Sequence, residues 1–382
     1  MLGIITSPFV LKERHLMSKQ LLRRVAICSP IFWGDASGAS VYYQSLANEL
    51  LTHGVDVTVI SDQERADSEL SVNYFPLFPA RCARNKRPLR DVAAYLWQNV
   101  SYFGIQGILS SVQPHSALIH SSFYNHPGIF AQVMKRVMHK HPEINFIADV
   151  RDGLMPAHKV PLLNDYRRVI ACSENVANHL LENGLESRRL LRIPVIQERI
   201  EPVDKLRTQL IADNGLGGQP YIFYAGLVKE SKAVDVLLEA FLRFVRPVRK
   251  DMRLVIAGLM KTSSRRVKEM LAQDGVVYVG NRRREEVLAL MSGAALCVNL
   301  SPDEGMPRTS LEALALGRPV ALPPNVPEFV RYCDGFVVAE REPAEVARRM
   351  IEIMDAGVAP SYPIEMHYPE NVLPAYIELL MD

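Results

Sequence analysis

The sequence lacks the patterns that mark disulfide-bonded, zinc-binding or membrane-spanning proteins. No run of apolar residues approaches the length that a membrane-spanning helix needs. Only five cysteines occur, and they form neither a CxxC pair nor a metal-ligand spacing; they are Cys28, Cys82, Cys172, Cys297 and Cys333. We therefore expect reduced thiols in a cytoplasmic protein.

A large net charge and acidic metal motifs are also missing. The 44 Lys and Arg residues almost balance the 42 Asp and Glu residues, and the resulting net charge of +2 is too small to predict nucleic-acid binding. No Asp-x-Asp motif occurs, so a nucleotide sugar held through a divalent cation is not indicated. We expect no metal and no other cofactor.

The N-terminus does not have the pattern of a signal peptide. Residues 1–22 lack a basic region at their start, and Ser7–Pro8 interrupts the apolar part. We assign these residues to an N-terminal extension. Met17 lies just before the first predicted strand, so residues 1–16 are either dispensable or the product of an upstream start.

The rest of the composition is that of a globular protein with two domains. A chain of 382 residues, 48% hydrophobic and 23% charged, exceeds what one hydrophobic core usually organises. The apolar pattern weakens near Pro194–Pro202, and Asp213–Gly218 is polar and rich in glycine. We predict a first domain over residues 23–200, a linker over 201–218, a second domain over 219–362, and a C-terminal helix over 363–382 that returns to the first domain.

In both domains, short apolar strands alternate with amphipathic helices, which predicts two parallel, doubly wound α/β sheets. The first domain has predicted strands at Val25–Cys28, Val55–Ser61, Ala117–His120, Asn145–Val150 and Val169–Cys172, and a helix at Val41–Leu51. The second has predicted strands at Tyr221–Tyr224, Arg253–Ala257, Val276–Val279, Leu296–Leu300 and Val320–Leu322, and helices at Val234–Phe244, Arg265–Ala272, Arg284–Ser292 and Arg308–Leu316.

Polar residues gather where the strands of the first domain end, which is where doubly wound sheets bind ligands. His120 ends one strand and His126 follows it, whereas Asp149, Arg151 and Asp152 lie at the end of the next strand. A strand-end histidine is more often a structural group than a catalytic one. A catalytic role for His120 therefore needs independent support.

A basic cluster precedes a helical segment with aromatic residues. The cluster consists of Arg81, Arg84, Lys86, Arg87 and Arg90, and the segment carries Leu96, Trp97, Tyr102 and Phe103. This mixture is typical of membrane interfaces, so peripheral contact with the inner face of the membrane is one interpretation. The alternative is a solvated loop followed by a core helix.

The most informative stretch runs from Ala295 to Val320. A buried strand is followed by the polar loop Ser301–Met306 and then by a helix, which puts the loop at the ligand-binding edge of the sheet. Glu304 lies in this loop, and Glu312 follows eight residues later in the helix. The pair of carboxylates is therefore the first candidate for a binding site.

Arg308 and Thr309 share a helix face with Glu312, because they precede it by four and three residues. An arginine in the first helical turn opposes the helix dipole, so its presence favours a bound anion such as phosphate. The alternative is an incidental Arg308–Glu312 pair on a surface helix, although this order of charges is the poorer one. A second phosphate site is predicted where the loop after Gly226 delivers Lys232 to a helix start, unless Lys232 is a solvated loop residue.

Together these motifs resemble those of the GT4 family, whose members are retaining glycosyltransferases of GT-B fold with a Glu-x7-Glu motif. The segment from Glu304 to Val320 is similar to the family's donor-site motif, and Gly226–Phe241, Leu254–Gly258 and Val276–Ala294 are similar, in order, to other parts of its donor domain. The resemblance covers residues 23–381 and is closer in the second half. It implies two Rossmann-like domains that face each other across a cleft, with the acceptor bound by the first and the donor by the second.

The resemblance also implies roles for particular residues. Glu304 would contact hydroxyls of the donor sugar, Lys232 would bind the diphosphate, and Glu312 would bind ribose hydroxyls. His120 would stand beside the donor sugar, as the third candidate catalytic residue with Glu304 and Lys232. The other donor contacts would come from Gly38, Gly226, Asn281, Arg282, Gly305, Met306, Pro307 and Thr309.

Three positions depart from the family's pattern. The family usually has arginine where Leu227 stands, glycine where Ala233 stands, and two glycines where Ser37–Gly38 stands. One ligand of the diphosphate is therefore missing or comes from elsewhere in the chain.

The implied reaction is transfer of a sugar, with retention, from a nucleotide-diphosphate sugar to a glycan, a lipid-linked sugar or a small glycoside. Synthesis of cell-envelope polysaccharide or glycoconjugates is the expected setting. Two alternatives remain open: a sugar-nucleotide epimerase of GT-B fold, and a catalytically silent subunit that binds a sugar nucleotide. The missing arginine at Leu227 keeps the silent subunit in consideration.

Overall fold

The computed structural model describes residues 23–29, 32, 38–61, 72–76, 102–121, 129–151, 155–201 and 204–381. These residues form two α/β domains, each built on a sheet whose paired strands are all parallel. The predicted class, two doubly wound parallel α/β domains, is confirmed. The N-terminal extension, the basic cluster with Leu96 and Trp97, His126 and Asp152 lie outside the described residues.

The sheet of the first domain has seven strands in the order β3-β2-β1-β4-β5-β6-β7. The strands are β1 Arg24–Cys28, β2 Asp56–Ser61, β3 Asn73–Pro76, β4 Ser116–His120, β5 Asn145–Val150, β6 Arg168–Ala171 and β7 Leu190–Arg192. The described helices are α1 Gly38–Thr52, α2 at residues 102–112, α3 Ile129–Lys140 and α4 Glu174–Glu182. All residues of β4 and β5 are buried, as expected of parallel strands covered on both faces. The strand order reverses between β1 and β4, so the ends of these strands open into one crevice.

The sheet of the second domain has five strands in the order β10-β9-β8-β11-β12. The strands are β8 Tyr221–Ala225, β9 Arg253–Ala257, β10 Val276–Gly280, β11 Leu296–Val298 and β12 Val320–Ala321. The helices are α5 Asp204–Asp213, α6 Val234–Ala240, α7 Arg265–Leu271, α8 Arg284–Ser292, α9 Arg308–Ala315, α10 Pro327–Cys333 and α11 Pro343–Ala356. The order reverses between β8 and β11, so the loops that carry Lys232 and Glu304 share one crevice.

Some elements differ from those that the sequence predicts. The edge strands β3 and β7 have four and three residues, too few to show a periodic pattern. The predicted linker, residues 201–218, contains α5, which packs against α8. The helix that begins at Val234 changes to a π-helix over Phe241–Val245. Short 3-10 turns occur at Ala157–Asp165, Ser187–Arg189, Glu230–Lys232, Asp334–Phe336 and Ile364–His367.

The C-terminal helix α12, Pro369–Met381, lies against the first domain. Tyr42 in α1 donates a hydrogen bond from its hydroxyl to that of Tyr376 (2.6 Å). Ser116 at the start of β4 donates to the Leu380 carbonyl oxygen (2.6 Å). The polypeptide thus returns from the second domain and ends in the core of the first. The two domains are therefore joined by two crossings of the chain.

The cysteines are reduced and buried in the part of the chain that the structure describes. Four cysteines carry free thiols in buried positions, namely Cys28, Cys172, Cys297 and Cys333. No helix within the described ranges combines the length and the apolarity needed to cross a bilayer.

His367 joins the segment before α12 to the first domain. Its Nδ1 lies 2.9 Å from the Val195 carbonyl oxygen and its Nε2 lies 2.9 Å from the Tyr362 hydroxyl, and the residue is only 1% exposed. Burial lowers the pKa of His367 to about 4, although the hydrogen bond to Val195 opposes the shift. His367 is therefore neutral in the folded protein at pH 5, where an unfolded histidine is charged.

We expect acid to destabilise the protein through His367. Because its pKa is lower in the folded state, its contribution is complete above the unfolded pKa of 6.5 and is lost as the pH falls toward about 4. Between pH 7.5 and pH 5 the free energy of unfolding should fall by about 2 kcal/mol from this residue alone. Chemical denaturation at both pH values measures the change. His367→Gln keeps one hydrogen bond but does not titrate, so its pH dependence should be smaller by the same amount; an equal dependence in both proteins would contradict the assignment.

Candidate active site

Two loops at the reversal point of the second sheet form the candidate site. The first begins at Gly226, after β8, and ends at Lys232. Gly226 has a φ of 156°, and a Cβ on Gly258, at the end of β9, would lie 1.8 Å from the Gly226 carbonyl oxygen. Ala233 precedes α6 with a left-handed φ of 54°. Glycine adopts this conformation most readily, which accounts for the family's usual glycine at this position.

Lys232 and Glu304 meet between the two loops. Lys232 Nζ lies 2.7 Å from Glu304 Oε1, and the side chains are 27% and 18% exposed. The Glu304 carbonyl oxygen accepts hydrogen bonds from Asn325 (2.9 Å) in the second domain and from Asn175 (3.3 Å) in the first. Both domains therefore fix the loop, and its carboxylate faces a cation rather than open solvent.

Gly305 is the point at which the second loop touches the first domain. A Cβ at this position would lie 2.7 Å from the Arg151 carbonyl oxygen, 3.2 Å from Cys172 Sγ and 3.3 Å from a Val176 methyl carbon. The backbone oxygen cannot move as a side chain can, so glycine is required for the observed contact between the domains.

Helix α9 begins directly behind this loop. Met306 and Pro307 are buried, and Pro307 is the N-cap of the helix. Thr309 lies in the first turn and is partly exposed. The Ser310 amide donates to the Pro307 carbonyl oxygen (3.1 Å), whereas the first two amides of a helix, here those of Arg308 and Thr309, have no acceptor within it, so this end of α9 favours an anion.

Glu312 is a buried carboxylate held by two arginines. Its Oε1 lies 3.3 Å from Nε of Arg308 and 3.2 Å from Nε of Arg284, the first residue of α8. The Arg308 and Glu312 side chains are almost fully buried. The predicted alternative, an incidental pair on a surface helix, is therefore wrong.

The guanidinium group of Arg308 has hydrogen-bond donors that no described residue accepts. Neither Nη1 nor Nη2 has a hydrogen-bond partner among the residues that the structure describes, although the residue is only 8% exposed. Burial lowers the pKa of Arg308, and Glu312 opposes that shift. A buried donor without a partner costs about 1–3 kcal/mol. The two nitrogens are thus available to an anionic ligand that reaches them.

Asn281 and Arg282 lie at the same edge of the sheet, after β10. Asn281 is exposed. Arg282 donates to the carbonyl oxygen of Val279 (2.8 Å) and, at 3.4 Å, to Glu286. The contacts of Arg282 are therefore with its own strand and the following helix, two strands away from the Lys232 loop.

The first domain contributes a buried wall at the end of β4. His120 is fully buried, and the Tyr43 ring meets it edge-on with ring centres 5.1 Å apart. Asp149 Oδ2 accepts hydrogen bonds from the Tyr43 hydroxyl (2.9 Å) and from Arg151 Nε (2.8 Å). Gly38 is the first residue of α1, the helix that carries Tyr43. His120 is thus packed against Tyr43 at the end of β4, and its predicted catalytic role stays a prediction.

Sequence reasoning missed several of these groups. Tyr43 and Tyr376 carry no motif, and Glu198 lies where the apolar pattern weakens. Arg284 begins a correctly predicted helix, but its contacts with Glu198 and Glu312 join residues far apart in the chain. No local spacing could have identified these partners.

Two family models match the chain, one to each domain. The model described as Glycosyltransferase Family 4 matches residues 36–195, and the model described as Glycosyl transferases group 1 matches residues 219–356. Together they cover most of both domains. No curated protein matches the chain significantly by sequence.

Solved structures of glycosyltransferases have the same fold along nearly the whole chain. Sucrose-phosphate synthase from Thermosynechococcus elongatus is 15% identical with a TM-score of 0.70, over 94% of this chain and 96% of its own. HepE from Anabaena, in complex with UDP and glucose, is 14% identical with a TM-score of 0.67, over 94% and 99%. WaaG, a glycosyltransferase involved in lipopolysaccharide biosynthesis, is 15% identical with a TM-score of 0.65, over 91% and 94%.

The matched models lie in the order of the two domains, and the neighbours are enzymes of GT-B fold. These matches agree with the two loops at the edge of the second sheet and with Glu304 in the loop before α9 and Glu312 in α9. The chain belongs to the GT4-like glycosyltransferases of GT-B fold.

Proposed function

We propose that this protein transfers a sugar, with retention of anomeric configuration, from a nucleotide-diphosphate sugar to a hydroxyl of a glycan, a lipid-linked sugar or a small glycoside. Synthesis of cell-envelope polysaccharide or glycoconjugates is the proposed setting. The observation that carries the proposal is the 2.7 Å contact between Lys232 Nζ and Glu304 Oε1 at the reversal point of the second sheet. The neighbour that is bound to UDP and glucose supports a donor of this class.

The diphosphate would displace Glu304 from Lys232. A phosphate oxygen is a better partner for the ammonium group than a carboxylate that hydroxyl groups can also satisfy. Glu304 would then accept hydrogen bonds from hydroxyls of the donor sugar, and Thr309 with the first amides of α9 would bind a phosphate. The observed ion pair thus positions both side chains for a ligand with phosphate at one end and hydroxyls at the other.

Arg308 would supply the cation that the family usually places at the position of Leu227. Leu227 is 40% exposed and cannot bind phosphate. Arg308, whose two terminal nitrogens have no partner among the described residues, is in the first turn of α9 and precedes Thr309. Lys232 and Arg308 would then neutralise the diphosphate without a metal ion.

Chemistry would proceed through an oxocarbenium-like transition state as the anomeric C–O bond breaks. Negative charge would develop on the leaving diphosphate, where Lys232, Arg308 and the helix amides would stabilise it without rearrangement. The acceptor hydroxyl would enter on the same face and transfer its proton to a diphosphate oxygen. No protein nucleophile is needed in this scheme, and buried His120 would shape the wall beside the sugar.

A catalytically silent sugar-nucleotide-binding subunit is the second candidate, because Leu227 removes one expected ligand. Titration with a panel of nucleotide sugars, followed by thermal unfolding, identifies the donor, since a bound ligand raises apparent stability. Binding without transfer or hydrolysis of that donor would favour the silent subunit.

Removal of the paired groups should abolish transfer. We expect Glu304→Ala and Lys232→Ala to lower kcat at least about 100-fold, because each removes a contact to the reacting sugar or leaving group. Glu312→Ala should mainly raise KM for the donor. Rates are measured with the donor found by thermal unfolding, and circular dichroism checks the fold. Lys229→Ala, in the same loop, is the matched control and should stay close to wild type. Wild-type kinetics for Glu304→Ala would refute the assignment.

A second prediction concerns the relocated cation. Arg308→Gln should lower kcat about 100-fold. The kcat of Arg308→Lys should lie between those of the wild type and Arg308→Gln, because lysine keeps the charge but not the planar guanidinium group. Addition of Leu227→Arg to Arg308→Gln should restore part of the loss, whereas Leu227→Arg alone should change little. An Arg308→Gln enzyme with normal kcat would contradict this role.

The contact at Gly305 should control access of water. Gly305→Ala places a methyl group 2.7 Å from the Arg151 carbonyl oxygen, which forces the domains apart. We expect a larger share of donor hydrolysis relative to transfer, because closure excludes water. Free and transferred sugar are quantified together. Gly335→Ala meets open space and should keep the wild-type ratio; a wild-type ratio in Gly305→Ala as well would show that closure does not depend on this contact.

A further inference from the structure

A chain of charged side chains connects the two domains behind the candidate donor site. Glu198 lies between β7 and α5, where the chain passes from the first domain to the second. Its Oε1 accepts a hydrogen bond from Ser45 in α1 (2.5 Å), and its Oε2 accepts one from Arg284 Nη1 (2.7 Å). Arg284 Nε in turn donates a hydrogen bond to Glu312 Oε1 (3.2 Å). We name Ser45, Glu198, Arg284 and Glu312 the interdomain chain.

The interdomain chain contains three ionised side chains, of which Glu312 is buried and Arg284 and Glu198 are partly exposed. Burial raises the pKa of Glu198, but the hydrogen bond from Ser45 and the charge of Arg284 outweigh it, so its pKa lies below the ordinary value. Burial lowers the pKa of Arg284, whereas Glu312 and Glu198 raise it, with a net rise. Arg284 thus remains a cation between two carboxylates. Loss of either carboxylate would release it from its observed position.

The geometry at Glu312 leaves one carboxylate oxygen for a ligand. Arg284 and Arg308 both donate to Oε1. Oε2 accepts no hydrogen bond from any residue in the part of the chain that the structure describes. Two donors on one oxygen fix the plane of the carboxylate, so the direction of Oε2 depends on Arg284 and, through it, on Glu198.

We propose that Glu198 and Arg284 are positioning residues, through which the first domain aims Glu312 at the ribose hydroxyls of the donor nucleotide. The inference rests on the proposed function, because it assigns the ribose to Glu312. Ribose recognition is then a property of the closed pair of domains rather than of the second domain alone. Preference for a ribonucleotide over its 2′-deoxy analogue should depend on a residue of the first domain.

A hydroxyl that meets an oriented carboxylate contributes strongly to selectivity, because its absence leaves a buried charge without a donor. Substitutions in the interdomain chain should therefore weaken binding of the ribonucleotide and hardly change binding of the 2′-deoxynucleotide. If Glu198 and Arg284 had only a structural role, their substitution would weaken binding of both nucleotides to the same extent. The ratio of the two affinities separates these possibilities.

The test compares nucleoside diphosphates with their 2′-deoxy forms by calorimetry on the full chain. UDP, GDP and ADP are screened first, and the tightest is used with its 2′-deoxy counterpart. We expect the wild-type protein to prefer the ribonucleotide about 10- to 100-fold. Glu198→Gln and Arg284→Gln should bind it about tenfold more weakly while binding of the deoxynucleotide changes less than about twofold. Arg284→Lys should restore part of the preference.

The matched control is a second ion pair between the domains. Arg331 in α10 lies 2.8 Å from Glu174 in α4, and neither residue contacts Glu312. Arg331→Gln and Glu174→Gln should keep the wild-type ratio of affinities. In a double mutant, Glu198→Gln should cause no further loss of preference once Glu312→Gln is present, because both substitutions act through the Glu312 carboxylate.

Several outcomes would overturn the inference. These are an equal loss for both nucleotides in Glu198→Gln, an unchanged ribose preference in both Glu198→Gln and Arg284→Gln, no ribose preference in the wild type, or a loss of preference in the Arg331→Gln control. Failure of the wild-type protein to bind any nucleoside diphosphate would instead contradict the proposed function. The two failures are therefore distinguishable.

Discussion

The structure depends on the pairing of buried charges at the edge where parallel strands end. Residues that follow neighbouring strands meet there, and they lose water when the two domains cover them, so each charge needs a partner. In the second domain the partners are Lys232 with Glu304 and Arg308 with Glu312. Cations and carboxylates arranged in this order are complementary to one another. They are equally complementary to a ligand that presents phosphate and hydroxyl groups along its length, as a nucleotide sugar does.

Contact between the domains is built into the same groups. The loop of Glu304 is bonded to Asn175 of the first domain, and its neighbour Gly305 packs on the Arg151 carbonyl oxygen. The C-terminal helix α12 returns to the first domain, where Tyr376 bonds to Tyr42. Closure therefore acts on the donor side of the cleft directly, through the backbone that carries Glu304. In the proposed reaction, the domain that chooses the acceptor would also complete the donor site.

Much of the fold was predictable because buried parallel strands are short apolar runs with recognisable helices between them. The strands β5 and β9 match the prediction residue for residue, whereas β7, with three residues, has too little pattern to detect. Glu304 and Lys232, which the structure brings together, could be singled out in the sequence because both lie in local motifs after a strand. Glu198 and Arg284 were not, because their contact spans 86 residues and only the folded chain brings them together. Burial of the Arg308 and Glu312 side chains, too, results from packing in the folded chain, which the spacing of the two residues does not reveal.

The replacement of the family's arginine by Leu227 need not reduce the positive charge that faces the diphosphate. Arg308 is buried, and two of its nitrogens have no partner among the described residues; each such donor costs about 1–3 kcal/mol. A phosphate that satisfies them recovers this free energy on binding, whereas a neutral ligand recovers little of it. In the proposed site, the cost of the unsatisfied guanidinium group would therefore favour binding of an anion next to Thr309. In the proposed site, Lys232 and Arg308 together provide two cations, as the family's lysine and arginine do. The second cation would come from the first turn of α9 instead of the loop after β8.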